Sequence, residues 1–214
     1  MTAKRLIAAV SGLGLAVSLA ACGQDVTIPG TGTVYGTLYH AAGCPAVGVT
    51  VLVENTGLST ISDGDGKFVV NGVLAVDEIS MGKYYVVRGY GEFDGESIGF
   101  LVDHFKVKGA QAYSVGEVMV PPTGTLVGTI WLAGTGDHSG VTIRLGGTSL
   151  STLTRADGSY RLDGVPAHSG YEVICLKPGF EEAILTTMPG EGSDPIGVEP
   201  REVVHLEGTT LNRL

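Results

Sequence analysis

Basic side chains are scarce in this sequence, which has 13 Lys and Arg against 22 Asp and Glu and a formal net charge of −9 at pH 7. Proteins that bind nucleic acid, or that are held on anionic lipid by charge, present a basic face to the phosphates. The charge balance argues against such a face. We therefore expect no nucleic-acid partner.

Long apolar runs and helical periodicity are also missing. The longest run of apolar and small residues, 6–21, is shorter than the roughly 20 residues that a membrane-spanning helix needs. No apolar run keeps a period of 3.6 residues, and few windows reach helix length without a Gly or Pro. The 34 glycines follow no Gly-X-Y period, and the apolar content is an ordinary 43%. Turn-rich all-β structure explains this composition.

Cysteine is rare as well, with three in the chain: Cys22, Cys44 and Cys175. The sequence has no Cys-x-x-Cys and no helical His-x-x-x-His pair, so no zinc site is expected. In an exported protein Cys44 and Cys175 can form a disulfide, which would clamp two parts of the chain together. Alternatively Cys175, in phase with Tyr171 and Val173, is a small core residue.

What the sequence does contain is an internal repeat. Asp65-Gly66 recurs 92 positions later as Asp157-Gly158 (157 − 65), and at the same offset Gly48-Val49-Thr50 matches Gly140-Val141-Thr142. No gap is needed between residues 36 and 73. We therefore predict two copies of one domain in tandem.

The two Asp-Gly steps predict turns. Asp and Gly tolerate positive φ, and a two-residue loop of this kind matches the twist of paired strands. Asp65-Gly66 and Asp157-Gly158 lie between apolar runs, so both predict the tips of β-hairpins. Phe68 and Tyr160 follow the turns at equivalent positions, where an aromatic ring can pack across the sheet face.

Short runs of β-branched and aromatic residues, separated by frequent turn signals, predict the fold class. It is all-β, with two tandem antiparallel β-sandwich domains after a signal peptide. The predicted limits are a signal peptide over 1–21, a tether over 22–32, a first sandwich over 33–120, a Pro-rich junction over 121–124 and a second sandwich over 125–214. Pro121 and Pro122 end the first unit because proline lacks the amide donor that a continuing strand requires.

The N-terminus reads as an export signal. Lys4-Arg5 precedes the apolar run, as in a signal peptide. The run ends in Leu19-Ala20-Ala21-Cys22, which resembles the lipobox of bacterial lipoproteins at every position. The resemblance implies that Cys22 carries diacylglycerol and an N-acyl chain such as palmitate, and so anchors the chain on an envelope membrane. Gly23 stands where Asp favours the inner membrane, which points to the outer membrane. An ordinary secretory signal with an unmodified Cys22 is the alternative.

The second copy resembles a known family. Thr125-Leu-Val-Gly128, Thr154-Arg-Ala-Asp-Gly-Ser-Tyr160 and Leu162-Asp-Gly-Val-Pro166 are similar to the carboxypeptidase regulatory-like domain in order and spacing. The resemblance implies a transthyretin-like sandwich of seven strands, grouped with carbohydrate-binding-like folds, that accompanies peptidases without being their catalytic domain. The first copy lacks the Pro and has about five extra residues between Val73 and Tyr84.

The acidic loops offer little for a metal. Asp63-Gly64-Asp65-Gly66 looks like part of a calcium loop, but Ile61 and Gly72 stand where an EF-hand needs carboxylates. The alternating Glu92, Asp94 and Glu96 could offer oxygens to a hard cation, and the alternative is a solvated acidic loop.

A catalytic serine is not expected either. Ala112-Tyr-Ser114-Val-Gly116 imitates a nucleophile elbow, but an elbow needs a strand-to-helix turn, and no helix is predicted here. We expect no enzyme activity, no cofactor and no metal.

Tyr39 and Trp131 share a repeat position (131 − 39 = 92). Aromatic faces can stack sugars, and aromatic rings can equally cover the open end of a core. The sequence thus favours a non-catalytic, lipid-anchored envelope protein whose two sandwiches are structural or interaction modules for a protein partner. The alternative is a surface lipoprotein that binds a polysaccharide.

Overall fold

The computed structural model describes residues 30–41, 43–75, 84–185 and 196–214. Cys22, the predicted signal peptide and most of the predicted tether lie outside the described residues. Within these ranges every regular element is a β-strand, and no helix is long and apolar enough to cross a bilayer. The prediction of an all-β fold of antiparallel sandwiches is confirmed.

The described residues of the first half form seven strands: β1 Thr31–Tyr39, β2 Thr50–Val53, β3 Leu58–Ile61, β4 Lys67–Leu74, β5 Tyr85–Phe93, β6 Glu96–Phe105 and β7 Ala112–Met119. One sheet has the order β4-β1-β7, and the other has the order β3-β2-β5-β6. β7 pairs with β1 in parallel, which departs from the expected antiparallel arrangement. The reason is that β7 crosses over from the opposite sheet and meets β1 running in the same direction.

The described residues of the second half form ten strands: β8 Gly124–Leu132, β9 Thr142–Leu145, β10 Ser151–Leu153, β11 Ser159–Val165, β12 His168–Tyr171, β13 Val173–Leu176, β14 Ala183–Leu185, β15 Ile196–Val198, β16 Val203–His205 and β17 Thr209–Leu211. The orders are β11-β8-β16 and β10-β9-β13-β14, while β12 pairs with β15. β16 and β17 both run parallel to β8, as β7 does to β1. Residues 171–176 are divided between two strands at Glu172, because Tyr171 pairs with Ile196 of β15, outside the sheet that holds β13.

Each sandwich has its own hydrophobic core. The first core draws on residues 34–120 and the second on residues 126–211. Alternation along β1 buries Val34 and Leu38, and alternation along β8 buries their repeat counterparts Leu126 and Ile130. Side chains on a strand point to opposite faces in turn, so this period of two places the same positions inside both units.

The Asp-Gly turns occupy equivalent places, but they do not join paired strands. β3 pairs with β2 and β4 pairs with β1, so the turn at Asp65-Gly66 carries the chain from one sheet to the other. The turn at Asp157-Gly158 does the same between β10 and β11. Both are corners between sheets rather than the expected hairpin tips, because each flanking strand finds its partner elsewhere.

Glycine is required at these corners for two reasons. Gly66 has φ 75° and Gly158 has φ 84°, a left-handed conformation that disfavours other residues. A Cβ at Gly66 would also collide with the carbonyl oxygen of Leu38, and one at Gly158 would collide with that of Ile130. The Asp of each pair does not have positive φ, so the turns differ from the predicted two-residue loops.

A buried hydroxyl makes the same bonds in both units. The Ser62 hydroxyl donates to Ala46 O (2.6 Å) and accepts from the Val49 amide (2.9 Å). Thr154 makes both bonds, at 2.6 and 3.0 Å, with backbone groups 92 positions further along. The duplication therefore extends to buried polar contacts.

A tyrosine closes each sandwich and locates the insertion in the first copy. Tyr85 OH donates to Leu74 O (2.7 Å), and Tyr171 OH donates to Pro166 O (2.9 Å). Leu74 and Pro166 are 92 positions apart (166 − 74), whereas the tyrosines are 86 apart (171 − 85). The first copy thus has six additional residues, and the counterpart of Tyr171 is Tyr85 rather than its neighbour Tyr84.

The aromatic residue after each corner packs on a glycine in the next strand. Phe68 pairs with Gly36, and Tyr160 pairs with Gly128, where a Cβ would meet the aromatic ring. The Tyr160 hydroxyl is buried and has no hydrogen-bond partner among the described residues. Burial also raises the pKa of Tyr160. The repeat counterpart Phe68 carries no oxygen to bury.

We therefore expect Tyr160→Phe to leave the free energy of unfolding unchanged or to raise it by about 1 kcal/mol, because it removes a buried unpaired hydroxyl. Tyr171→Phe is the matched control, since it deletes a hydroxyl that is hydrogen-bonded, and it should lower the free energy by about 1 kcal/mol. Urea unfolding of the chain from residue 23 onward measures both. A larger loss in Tyr160→Phe than in Tyr171→Phe would contradict this account.

Candidate functional site

The two sandwiches meet where the end of the second rests on the outer face of the β3-β2-β5-β6 sheet of the first. Leu101 of β6 packs against the core of the second sandwich. Gly99 lies beneath the same end, where an added Cβ would come within 3.0 Å of Thr123 and 3.7 Å of Pro166. The absence of a side chain at Gly99 therefore lets the second sandwich approach β6 closely.

A buried ion pair lies at the centre of this contact. Arg88 Nε donates to Glu54 Oε1 at 2.6 Å, and both side chains are almost completely buried. Both residues point outward from the first sandwich, and Ser149 of the second sandwich covers them. The Ser149 amide donates to Glu54 Oε2 (2.9 Å), and its hydroxyl accepts from Arg88 Nη2 (3.1 Å). Each sandwich thus supplies part of one hydrogen-bonded network.

The 121–124 junction between the sandwiches is hydrogen-bonded to β6. The Gly99 amide donates to Pro121 O, and the Thr123 amide donates to Ser97 O, both at 2.9 Å. Nearby, Arg201 makes a bidentate pair with Glu96 at 2.9 and 2.6 Å. The Arg201 guanidinium lowers the pKa of Glu96 through these hydrogen bonds. The junction is therefore bonded to the first sandwich on both flanks.

Between these contacts lies an interdomain pocket of about 280 Å³. Apolar and ionisable side chains from both sandwiches line it, among them Val86, Leu101, Asp103, His168, Tyr171 and Glu172. His168 Nε2 is 3.6 Å from Asp103 Oδ2, so the two form an ion pair across the interface when the imidazole is protonated. Pockets at domain interfaces are common positions for ligands. This pocket offers carboxylates and an imidazole to a small polar group.

One of the three acidic side chains that could offer oxygens to a cation is already in an ion pair. Glu96 is paired with Arg201, and Asp94 lies in the turn between β5 and β6 with φ 51°. Within the described ranges no group of three or more His, Cys, Asp or Glu side chains is arranged to hold a metal ion. Ser114 lies within β7, and its hydroxyl accepts from the Gly116 amide at 3.1 Å. It is therefore not at a strand-to-helix turn.

Tyr39 and Trp131 lie on the outer faces of β1 and β8. Tyr39 is half-buried, whereas Trp131 is 43% exposed and its ring lies over Gly208. Their neighbours Leu38 and Ile130 fill the cores instead. Neither ring lines the interdomain pocket, and stacking of a sugar on either one stays a prediction.

Cys44 and Cys175 are not brought together. Cys44 is exposed in a loop of the first sandwich, while Cys175 is fully buried in the core of the second, and both are free thiols. Burial raises the pKa of the Cys175 thiol to about 12, which keeps it protonated and unreactive at neutral pH. The two thiols are not bonded to each other in this structure, and Cys175 takes the place of a small core residue, the alternative that the sequence left open.

Sequence reasoning missed the residues that join the sandwiches. Arg88 stands between Val87 and Gly89 in β5, at a place where the second copy has Ile174, and Leu101 corresponds to Ile184. A charge that appears in one copy of a repeat and not in the other was a usable signal. Its partners Glu54 and Ser149 could not be found, because they lie 34 and 61 residues away from Arg88.

Comparison with solved structures gives matches of low similarity. No protein-family model matches the chain, and no curated protein is similar to it. A chain of the type II cohesin–X-dockerin complex from Acetivibrio cellulolyticus has 16% identity and a TM-score of 0.33 over 42% of this chain and 58% of its own. The Bacillus anthracis TIE protein has 13% identity and a TM-score of 0.32 over 83% of this chain and 33% of its own. The major pilin subunit BcpA of Bacillus cereus has 13% identity and a TM-score of 0.29 over 78% of this chain and 55% of its own.

The chain thus spans between 33% and 58% of the lengths of these three proteins. At such scores the likeness carries no argument about the fold or the function of this chain. The resemblance to the carboxypeptidase regulatory-like domain stays a prediction.

We expect Glu54→Gln to loosen the contact between the sandwiches. Docking would then bury the Arg88 charge without its counter-ion, which costs about 3–5 kcal/mol. Small-angle scattering of the chain from residue 23 onward should show a larger radius of gyration, and proteases should cut the 121–124 junction faster. Glu96→Gln is the control, because its pair with Arg201 is exposed to solvent and water screens such a pair. Equal effects of the two substitutions would contradict a central role for the buried pair.

Proposed function

We propose that this chain is a non-catalytic, lipid-anchored envelope protein whose two sandwiches form one rigid arm that presents an interaction surface to a protein partner. The observation that carries the proposal is the buried Glu54–Arg88 pair completed by Ser149. In a freely jointed pair of domains, Glu54 and Arg88 on the face of the first sandwich would lose the cover of Ser149. A fixed angle between two modules suits a spacer or a docking platform.

Anchoring through Cys22 is the second part of the proposal. It is supported by Leu19-Ala20-Ala21-Cys22 at the end of an apolar run. Each buried methylene of an acyl chain contributes about 0.8 kcal/mol, so the several chains of a lipoprotein hold it stably on a bilayer. Gly23 in place of Asp favours the outer membrane.

The lipid anchor has a direct test. Mass spectrometry of the protein isolated from cell envelopes should find an N-terminal peptide that starts at Cys22 and carries acyl mass. In Cys22→Ala that mass should be absent, and the protein should move from the detergent phase to the aqueous phase on Triton X-114 partition. An unmodified Cys22 peptide from wild-type cells would overturn the anchor while leaving the rigid arm in place.

The interaction role is tested with the soluble chain from residue 23 onward as bait for envelope extracts. Proteins retained by the wild type and lost with Glu54→Gln, but kept with Glu96→Gln, would support a surface that depends on the angle between the sandwiches. Turnover in a broad hydrolase screen would refute the non-catalytic role. Retention on polysaccharide that is lost with Trp131→Ala would favour the carbohydrate-binding alternative, for which the exposed Trp131 ring is the observation.

A further inference from the structure

Another pocket, of about 250 Å³, lies where the 121–124 junction leaves the first sandwich. We call it the junction pocket and define it by His40, Phe93, Asp94, Ile98 and Arg201, which are among its lining residues. The first four belong to the first sandwich, whereas Arg201 belongs to the second. The pocket is therefore complete only while the two sandwiches keep their arrangement.

His40 is the unusual member of this pocket. The residue is only 6% exposed, and its ring stacks on the Phe93 ring with the centroids 3.7 Å apart. Neither nitrogen of the imidazole makes a hydrogen bond within the described part of the chain. Buried polar groups are normally hydrogen-bonded, because leaving one without a partner is unfavourable. The ring nitrogens are thus available to a group that enters the pocket.

The repeat shows that the fold does not require a histidine at this position. The counterpart of His40 is Leu132 (132 − 40 = 92), which is 4% exposed and belongs to the core of the second sandwich. An apolar side chain therefore fills the same place in the other copy. Packing alone does not explain the imidazole in the first copy.

The charge around the junction pocket is negative. The segments 92–98 and 199–202, which contribute to its lining, carry a single Arg against five carboxylates: Glu92, Asp94, Glu96, Glu199 and Glu202. Glu96 is neutralised by its bidentate pair with Arg201. Asp94 lines the pocket and forms no ion pair or side-chain hydrogen bond with the residues that the structure describes. The pocket therefore favours a cation.

The rest of the lining suits an aliphatic chain that ends in an ammonium group. Ile98 and Val120, at 3% and 2% exposure, provide an apolar floor. The Phe93 ring, 42% exposed, adds an aromatic face, which attracts an ammonium ion. A lysine side chain has a four-carbon stem and a compact ammonium with three N–H donors. Pockets for whole small molecules measure about 300–1,000 Å³, so this smaller one suits a single side chain.

We propose that the junction pocket binds a lysine side chain of a protein partner. The aliphatic stem lies on Ile98 and Val120, while the ammonium donates to the His40 imidazole and pairs with the Asp94 carboxylate. The proposal rests on the proposed function, because it gives the chemistry of the group by which a partner docks on the rigid arm. It also explains why both sandwiches contribute to the pocket.

The first test titrates Nα-acetyl-lysine methylamide into the whole protein, labelled with ¹³C-histidine and purified from cell envelopes in neutral detergent. The His40 signals, identified by their loss in His40→Leu, should shift and saturate, while those of His138 in the second sandwich stay in place. Nα-acetyl-norleucine methylamide, which has the stem without the ammonium, should bind at least tenfold more weakly. Equal shifts with both probes, or no shift with the lysine probe, would overturn the proposal.

Two variants separate the pocket from general attraction of a cation to an acidic protein. Asp94→Asn removes the counter-charge at a position with φ 51°, which Asn tolerates, and should weaken binding of the lysine probe at least tenfold. Glu92→Gln is the matched control, because Glu92 precedes Phe93 in β5 but does not line the pocket. It should change the affinity less than twofold. Equal losses in the two variants would refute a specific site.

His40→Leu separates the pocket from the interaction role. The variant should fold, since Leu132 occupies the equivalent position, and thermal unfolding verifies this; Asp94→Asn takes its place if it does not fold. Envelope proteins retained by the wild type and lost with this variant, together with loss of the lysine probe, would support the proposal. Retention by both would refute the pocket as the docking site and leave the interaction role standing. No retention by the wild type would refute the interaction role and the partner lysine with it.

Discussion

The arrangement of this molecule depends on one desolvated ion pair. Glu54 and Arg88 belong to the first sandwich, but they are buried only because Ser149 of the second sandwich lies over them. Burying two charges is costly unless they are hydrogen-bonded, and here Ser149 supplies its amide to Glu54 Oε2 and its hydroxyl to Arg88 Nη2. The pair therefore disfavours any other way of placing the second sandwich. The apolar contact at Leu101 and the bonded junction at Pro121 and Thr123 act in the same direction.

The two copies of the repeat have kept their internal chemistry and changed their outer faces. The Ser62 and Thr154 hydroxyls, the corners at Gly66 and Gly158, and the closing tyrosines are the same in both. The outer sheet face has diverged, with Arg88 and Leu101 in the first copy against Ile174 and Ile184 in the second. Ile184 is 55% exposed, whereas Leu101 is covered by the neighbouring sandwich. Divergence on the surface of a duplicated core thus produced an interface inside one chain.

Much of the fold could be predicted from local signals, and the failures have physical causes. Alternation of apolar residues located most strands, and the offset of 92 located the corners. The corners were expected to be hairpin tips because an Asp-Gly step reports a sharp reversal and says nothing about which strand lies alongside. The insertion before Tyr85 was one residue longer than expected, because adjacent tyrosines made the alignment ambiguous until the hydrogen bond to Leu74 chose between them. The sequence predicted a Pro-rich junction over 121–124, but it gave no sign of the surfaces that meet on either side of it.

By itself the sequence determined the duplication, the strand content and the positions that need glycine, because each depends on residues close together in the chain or on a constant offset. Only the tertiary structure decided that Glu54 meets Ser149, at a separation of 95 residues, and that Cys44 and Cys175 do not meet. It also decided that the Lys106 ammonium lies over the Tyr84 ring, 22 residues away in the chain. The physical reason is that docking of one sandwich on another is set by the shape and charge of surfaces assembled from distant segments, and no local pattern records that assembly.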